Sequence, residues 1–258
     1  MARSQELTTA IEAIRAAEKV IRQHYLQEVE VRLKPDESPV TVADVEAEKA
    51  IRKIITEQFP THGFYGEETG KHNADADYLW LIDPIDGTKS FVREYPFFST
   101  QIALMHKGEL ILGVSNAPIF GEMAWAERGS GAFLNDKPIS TSRIDKLSQS
   151  TLSTGNIKTL ANNDKLWAGY AQMVRCVSRT RGYGDFYHYH LLAAGKIDAV
   201  VESDVNILDI AALAVIIEEA GGQFTQLDGQ PIDLDTTTVL ASNKILHDTV
   251  LNAFLSDS

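Results

Sequence analysis

Cysteine is nearly missing from this chain. Cys176 stands alone, so an intramolecular disulfide is impossible and a thiolate metal site is excluded. Such sparse cysteine use leads to the expectation of a cytoplasmic protein. Long apolar runs are missing as well. The longest, Ile210 to Ile217, falls far short of the roughly 18–20 residues that a membrane span needs. The N-terminus has no apolar signal core, so neither secretion nor a membrane partner is expected. Positive charge is in deficit, with 24 Lys and Arg against 36 Asp and Glu and a net charge of −12. A chain this acidic repels a phosphate backbone, which argues against nucleic acid as a partner. The same excess suits metal ions or a cationic small molecule, besides keeping the chain in solution. Internal repeats and low-complexity tracts are also lacking.

What remains is an ordinary globular composition. The 258 residues, 44% of them hydrophobic, suffice for one large domain or two lobes sharing an interface, with a core that needs no cross-link. Leu7, Ile11, Ile14, Ile21 and Tyr25 form one apolar helix stripe. A polar loop with Lys34, Pro35, Ser38 and Pro39 follows. A second helix is predicted from Asp44 or Val45 to Phe59, stopped by Pro60. Gly63, Gly66, Glu67, Glu68 and Gly70 mark a loop, and Tyr78 to Ile82 reads as a buried strand. Thr100 to His106, Leu110 to Ala117 and Glu122 to Glu127 have the pattern of an antiparallel meander, with a short strand or turn opening at Gly129-Ser130-Gly131. The polar stretch Ile139 to Ser148 would join an N-terminal lobe, residues 1–140, to a C-terminal lobe, residues 141–258. In the second lobe, strands are predicted at Thr151 to Thr154, Cys176 to Thr180, Ala199 to Val201 and Val239 to Ala241. Helices are predicted around Asn163 to Met173, from Asp185 to Ala194 with Gly195 as terminator, from Asp209 to Ala220, and at the C-terminus.

The sharpest local feature is Asp83-Pro84-Ile85-Asp86-Gly87-Thr88. A strand end would hold Asp83 rigidly, Pro84 would fix the turn, and Asp86 would return to the same side. Two carboxylates so placed can share hard cations, with the Ile85 carbonyl as a further oxygen ligand. Gly87 and Thr88 would then offer backbone N–H groups to a phosphate. By itself the segment is also good turn chemistry. Glu67-Glu68 is, alone, equally a pair of solvated loop acids. Asp209 and Asp44 each read as a helix N-cap or as a site carboxylate.

Taken together, Gly66-Glu67-Glu68, Asp83-Pro84-Ile85-Asp86-Gly87-Thr88 and Asp209-Ile210-Ala211-Ala212 with Gly221-Gly222 resemble the inositol monophosphatase superfamily in order and spacing. Gly129-Ser130-Gly131-Ala132-Phe133-Leu134-Asn135 resembles a further element of it. The resemblance spans most of the chain. It implies a layered α/β fold of the αβαβα type, with an antiparallel sheet in the first lobe, a mixed sheet in the second and the site between them. It also implies a homodimer and a small phosphate monoester as substrate. Mg²⁺, as two or three ions, would be held by Glu67, Asp83, the Ile85 carbonyl, Asp86 and Asp209. Glu67 and Thr88 would orient the attacking water, Asp44 would hold Thr88, and the Gly87 and Thr88 amides would take the phosphate. The physics agrees: divalent ions neutralise the dianion and acidify water, and an all-oxygen ligand set favours Mg²⁺ or Mn²⁺ over Zn²⁺.

The ester itself is read from fewer residues. Arg181-Gly182-Tyr183-Gly184-Asp185-Phe186-Tyr187 is most similar to the histidinol-phosphate phosphatase branch, where inositol phosphatases carry a small or hydroxyl residue in place of Asp185. Glu202, seven residues before Asp209, falls at the substrate pocket in both branches. A second carboxylate there would pair with an ammonium or imidazolium, whereas neutral inositol needs only hydroxyl partners. Asp185 is otherwise a helix cap. Lys89-Ser90-Phe91 also fits the histidinol-phosphate branch better than the inositol one, although Gly-Thr-Lys is shared with phosphoadenosine phosphatases. Leu208 departs from the aromatic residue usual before the last metal-binding Asp. Arg181 is expected near the pocket and Arg179 on the surface. His188 and His190 resemble a metal pair, but on a helix they point about 200° apart and are read as structural. Histidinol phosphate is therefore the expected substrate, with inositol or another polyol phosphate and nucleotide or sugar bisphosphates as alternatives. A degenerate, non-catalytic binding protein is the competing class.

Overall fold

The computed structural model describes residues 3–27, 31–33 and 39–255. The loop residues Lys34, Pro35 and Ser38 lie outside them. Helix α1 (Gln5–His24) buries Leu7, Ile11, Ile14 and Ile21, as the stripe predicts, and is capped by the Ser4 side chain. Strands β1 (Val31–Leu33) and β2 (Pro39–Thr41) form a small antiparallel pair. Helix α2 (Val42–Gln58) starts a turn earlier than predicted, because Thr41 supplies the N-cap.

Strands β3 (Gly63–Gly66), β4 (Gly70–His72) and β5 (Tyr78–Asp86) lead into the short helix α3 (Thr88–Val92). The meander follows as β6 (Ser99–His106), β7 (Glu109–Ala117) and β8 (Glu122–Glu127), extended by β9 (Ala132–Leu134) and β10 (Lys137–Ile139). Together they make an eight-stranded sheet in the order β10-β9-β8-β7-β6-β5-β3-β4. Its pairings are antiparallel except for β3 beside β5.

The second half contributes β11 (Thr151–Thr154), α4 (Lys158–Ala161), α5 (Asp164–Cys176) and β12 (Arg179–Arg181). The strand predicted at Cys176 to Thr180 is thus displaced: α5 runs on through the exposed Val174, Arg175 and Cys176 until the Val177 N–H closes it on the Met173 carbonyl (3.0 Å). Then come α6 (Asp185–Ala193), β13 (Ala199–Ser203), α7 (Ile207–Glu219), β14 (Gln223–Thr225), β15 (Thr238–Ser242) and α8 (His247–Leu255). These strands form a mixed five-stranded sheet, β12-β11-β13-β15-β14.

Three apolar cores separate the layers. One joins α1 and α2 to the near face of the large sheet, and another joins the far face to α6, α7 and the small sheet. The third seats α5 and α8 on the outer face of the small sheet. The order is therefore αβαβα. Helix α7 is apolar on every side, with Ile210 to Ile217 all buried, as a helix sandwiched between two sheets must be. It lies directly on β7: a Cβ on Gly113 would come within 2.3 Å of the Ala212 carbonyl oxygen. That close approach fixes where the N-terminus of α7 meets the large sheet. No described helix is long and apolar enough to cross a membrane.

Candidate active site

The end of β5 is where the sequence motif acquires a shape. In a regular strand, residues three apart point to opposite faces. Asp83 pairs with Gln101 but Asp86 pairs with Ser99, so β5 holds one residue more than β6 between them. This is a β-bulge, placed at Pro84, which has no N–H to give to the ladder. The extra residue turns Asp86 onto the face of Asp83. Within the bulge, the Ile85 N–H donates to Asp83 Oδ1 (2.9 Å) and the Thr100 hydroxyl donates to the Pro84 carbonyl (2.8 Å). Gly87 then turns the chain with φ +90°, where a Cβ would also strike the Phe97 carbonyl oxygen at 2.6 Å. Thr88 opens α3, its hydroxyl within reach of the Ile85 carbonyl (3.0 Å) and Asp44 Oδ1 (3.2 Å).

Asp209 arrives from α7. Asp83, Asp86 and Asp209 each offer an oxygen, and the three oxygens lie within 4.8 Å of one another. Glu67 follows the end of β3, anchored by its N–H to the Ile82 carbonyl (3.1 Å), and its side chain hydrogen-bonds that of Asp83. Burial and neighbouring carboxylates, Glu67 and Asp209 first among them, push the Asp83 carboxyl well above the ordinary range. Asp86 is raised likewise by burial and by Asp209, Asp185 and Glu202. Asp209 is pushed up to about 7, chiefly by burial, against the lowering effect of its bonds to Asn206. Four acids crowded together without a cation repel one another, and divalent cations held by hard oxygens relieve that repulsion. The donor set fits a metal site, with Glu67, Asp83, Asp86, Asp209 and the Ile85 carbonyl at hand.

Asp44 and Asp209 are not N-caps, contrary to that reading of the sequence. Each is the third residue of its helix and the acidic half of a capping box. Thr41 caps α2 and donates its N–H (2.7 Å) and hydroxyl (2.6 Å) to Asp44 Oδ2. Asn206 caps α7, giving its N–H to Asp209 Oδ2 (2.9 Å) and its side-chain amide to Asp209 Oδ1 (2.7 Å). Burial raises the Asp44 carboxyl, with the Thr41 bonds opposing.

Beside the acid cluster lies a small pocket of about 30 Å³, lined among others by Asp86, Asn156, Asp185, Tyr189, Glu202 and Asp209. Asp185 and Glu202, predicted for the substrate wall, both reach it. Asp185 is not the cap of α6. Gly184 holds the cap position, and Asp185 adopts φ +46° with no capping bond. Among the described residues its carboxylate has no hydrogen-bond partner. Burial and the Glu202 charge raise it to about 6. Arg181 is not brought to the pocket: it is exposed, and its guanidinium donates to the Thr180 carbonyl (2.7 Å). His188 and His190 face opposite ways, as helix geometry requires. His188 Nε2 lies 3.1 Å from Glu202, and His190 bonds Ser115 and Glu122.

Several contributors escaped the sequence reading. Glu48 is fully buried, and its carboxylate accepts the Glu68 and Thr69 N–H groups (2.8 and 2.9 Å), pinning the loop that carries Glu67. Its signal was its position four residues after Asp44, on the buried stripe of α2. Ser99 donates to Asp86 Oδ2 (3.2 Å) and accepts from Gln101 (2.8 Å). No local pattern marked these two strand residues.

The sequence profile described as the inositol monophosphatase family matches residues 3–257. A chloroplastic bifunctional phosphatase of Arabidopsis thaliana is 41% identical over 83% of the chain, which spans 62% of that protein's length. A histidinol-phosphatase of Chlorobaculum parvum is 35% identical over 93% of both chains. The structure of an inositol monophosphatase from Anabaena superposes with a TM-score of 0.85 at 31% identity, covering 97% of this chain and 95% of that one. Family profile, relatives and fold agree, and the chain, a phosphoric monoester hydrolase, belongs to the inositol monophosphatase family.

Proposed function

We propose that the chain is a Mg²⁺-dependent histidinol-phosphate phosphatase. The observation that carries the substrate is the Asp185 carboxylate. Among the described residues it stands at the pocket without a hydrogen-bond partner, next to Glu202 and raised to about 6. A carboxylate held so is stabilised by a cation more than by a hydroxyl, because a charge-assisted bond restores what burial removes. Histidinol phosphate carries an ammonium and a titratable imidazole, whereas inositol carries neither. Similarity to a histidinol-phosphatase also supports this reading, although inositol monophosphatases are similar to a comparable degree.

Mg²⁺, with Mn²⁺ as a substitute, would be held by Glu67, Asp83, Asp86, Asp209 and the Ile85 carbonyl. Bound there, divalent ions neutralise the phosphate dianion and the leaving alkoxide and lower the pKa of water. The protein's part is orientation. Asp44, fixed by Thr41, accepts the Thr88 hydroxyl and so turns the Thr88 oxygen lone pairs toward a water shared with Glu67. The backbone N–H groups of Gly87 and Thr88 would take the phosphate, and Asp185 and Glu202 would take the alcohol half of the ester. Transfer goes to water, with no covalent phospho-enzyme.

The test is phosphate release with Mg²⁺ from histidinol phosphate and from inositol 1-phosphate in parallel. A kcat/KM preference for histidinol phosphate of about tenfold or more, worth about 1.4 kcal/mol in transition-state binding, is expected. Asp185→Ala should remove it. A preference for inositol 1-phosphate would overturn the substrate and leave the hydrolase chemistry standing.

A further inference from the structure

Glu202 is buried on β13, yet it reaches the pocket. Its carboxylate is held from three directions. The Asn156 N–H donates to Oε1 (3.1 Å), the Tyr189 hydroxyl donates to Oε2 (2.7 Å), and His188 Nε2 lies 3.1 Å from the same oxygen. Gly155 closes the remaining side, since a Cβ there would fall 1.7 Å from Oε1. The histidine is itself oriented. Its Nδ1 lies 3.4 Å from the Ser153 hydroxyl oxygen, which accepts the Tyr183 N–H (3.3 Å). The Glu202 carboxylate only accepts, so the hydrogen sits on Nε2 and Nδ1 is left as acceptor for the Ser153 O–H. His188 then donates its Nε2 hydrogen to Glu202. The chain of donors runs in one direction, from the Tyr183 N–H through Ser153 and His188 to Glu202.

A free glutamate has three side-chain torsions and loses rotamer entropy whenever substrate orders it. Here that ordering is complete before substrate arrives. We propose that Tyr189 and His188 are positioning residues that set ester selectivity by holding the Glu202 carboxylate turned into the pocket beside Asp185. They act on the alcohol half of the ester and not on the phosphate end. The proposal rests on reading Asp185 and Glu202 as the substrate wall, and its test separates the two.

The experiment compares wild type, Tyr189→Phe, Glu202→Gln and the double variant with Mg²⁺ on histidinol phosphate, inositol 1-phosphate and p-nitrophenyl phosphate. The last has no group to meet Glu202. Tyr189→Phe keeps the ring and removes one donor. It should raise KM for the preferred natural ester about tenfold, move kcat much less, and leave p-nitrophenyl phosphate turnover within twofold. In the Glu202→Gln background it should add little, because both changes act through one carboxylate. His188→Gln should repeat the pattern should Tyr189→Phe lower the melting temperature. Equal losses on all three esters, no loss on any, or full additivity with Glu202→Gln would overturn the proposal. If wild type prefers inositol 1-phosphate, the histidinol reading fails. The positioning role then stands only if the selective loss appears on that ester.

Discussion

Helices α2 and α7 enter the site from opposite sides of the large sheet with the same device at their N-termini, yet they deliver their acids to different ends. In each, the third residue is an aspartate returned to the cap by a capping box, Thr41 with Asp44 and Asn206 with Asp209. Asp44 meets the Thr88 hydroxyl, while Asp209 meets Asp83 and Asp86. The capping box fixes the rotamer of an acid without fixing its chemistry. What faces the acid decides that: a hydroxyl suits Asp44 to the part of an orienting acceptor, and two carboxylates suit Asp209 to a cation site. The surroundings differ in the same sense. α2 is amphipathic and lies on the outside, whereas α7 is buried all along Ile210 to Ile217.

The comparison breaks most visibly in activity. Asp209→Asn keeps the shape and a capping acceptor but removes one charge from the cluster. It should lower kcat on the order of 10³-fold at saturating Mg²⁺, with far-UV circular dichroism unchanged. Asp44→Asn should cost less, about 10–100-fold, since it acts through Thr88. Equal losses in the two variants would mean that both acids serve the same end of the site.

Metal linkage should separate the helices next. If Mg²⁺ binds at Asp83, Asp86 and Asp209, a free concentration of 100 Kd should stabilise the wild type by about 2.7 kcal/mol, read as a rise in melting temperature that EDTA reverses. Asp44→Asn should keep most of this rise and Asp209→Asn should lose most of it. The cap residues themselves come next. Thr41→Ala and Asn206→Ala should each lower stability by about 1 kcal/mol in urea unfolding. A loss much larger for Asn206 would show that the cap of α7 also sets the packing between the sheets.

The pH dependence without metal gives a further comparison. Asp209 is raised from 3.8 to about 7 and Asp185 from 3.8 to about 6. An acid whose folded pKa lies above its unfolded value binds its proton more tightly when folded. Its contribution is therefore complete below about 3.8 and is lost as pH rises through 6 to 7. With EDTA, melting temperature should fall between pH 5.5 and 7.5, and Asp209→Asn should flatten that slope. A rising slope would mean that the acids are not crowded in solution.

Much of the site was legible because its signals are local. Asp83 to Thr88 combines a strand end, a proline and a glycine within six residues, and the structure shows why each is needed: a bulge at Pro84 and a left-handed turn at Gly87. The meander was legible from alternation and glycine turns, and α7 from its uninterrupted apolar run. The misreadings share a cause. The cap alternative at Asp44 and Asp209 arises because a short polar residue before an apolar run fits both the cap and the third position. Only the backbone tells the two apart. Arg181 was expected near the pocket because it adjoins Asp185 in sequence, but β12 is the edge strand of the small sheet and leaves it exposed. Glu48 and Ser99 carried no motif, since the groups they hold, the Glu68 and Thr69 amides and Asp86, lie in other elements.

The sequence by itself determined the family and with it the hydrolase class, because the motifs around Glu67, Asp83 to Thr88 and Asp209 occur together in order and spacing. It also determined the main helices and strands, whose periodicities are properties of single segments. Only the tertiary structure decided that Asp209 meets Asp83 and Asp86, that among the described residues Asp185 has no hydrogen-bond partner and that Glu202 is held by Tyr189 and His188. Those outcomes depend on where α6 and α7 settle between two sheets, and that position is set by packing among residues far apart in the chain.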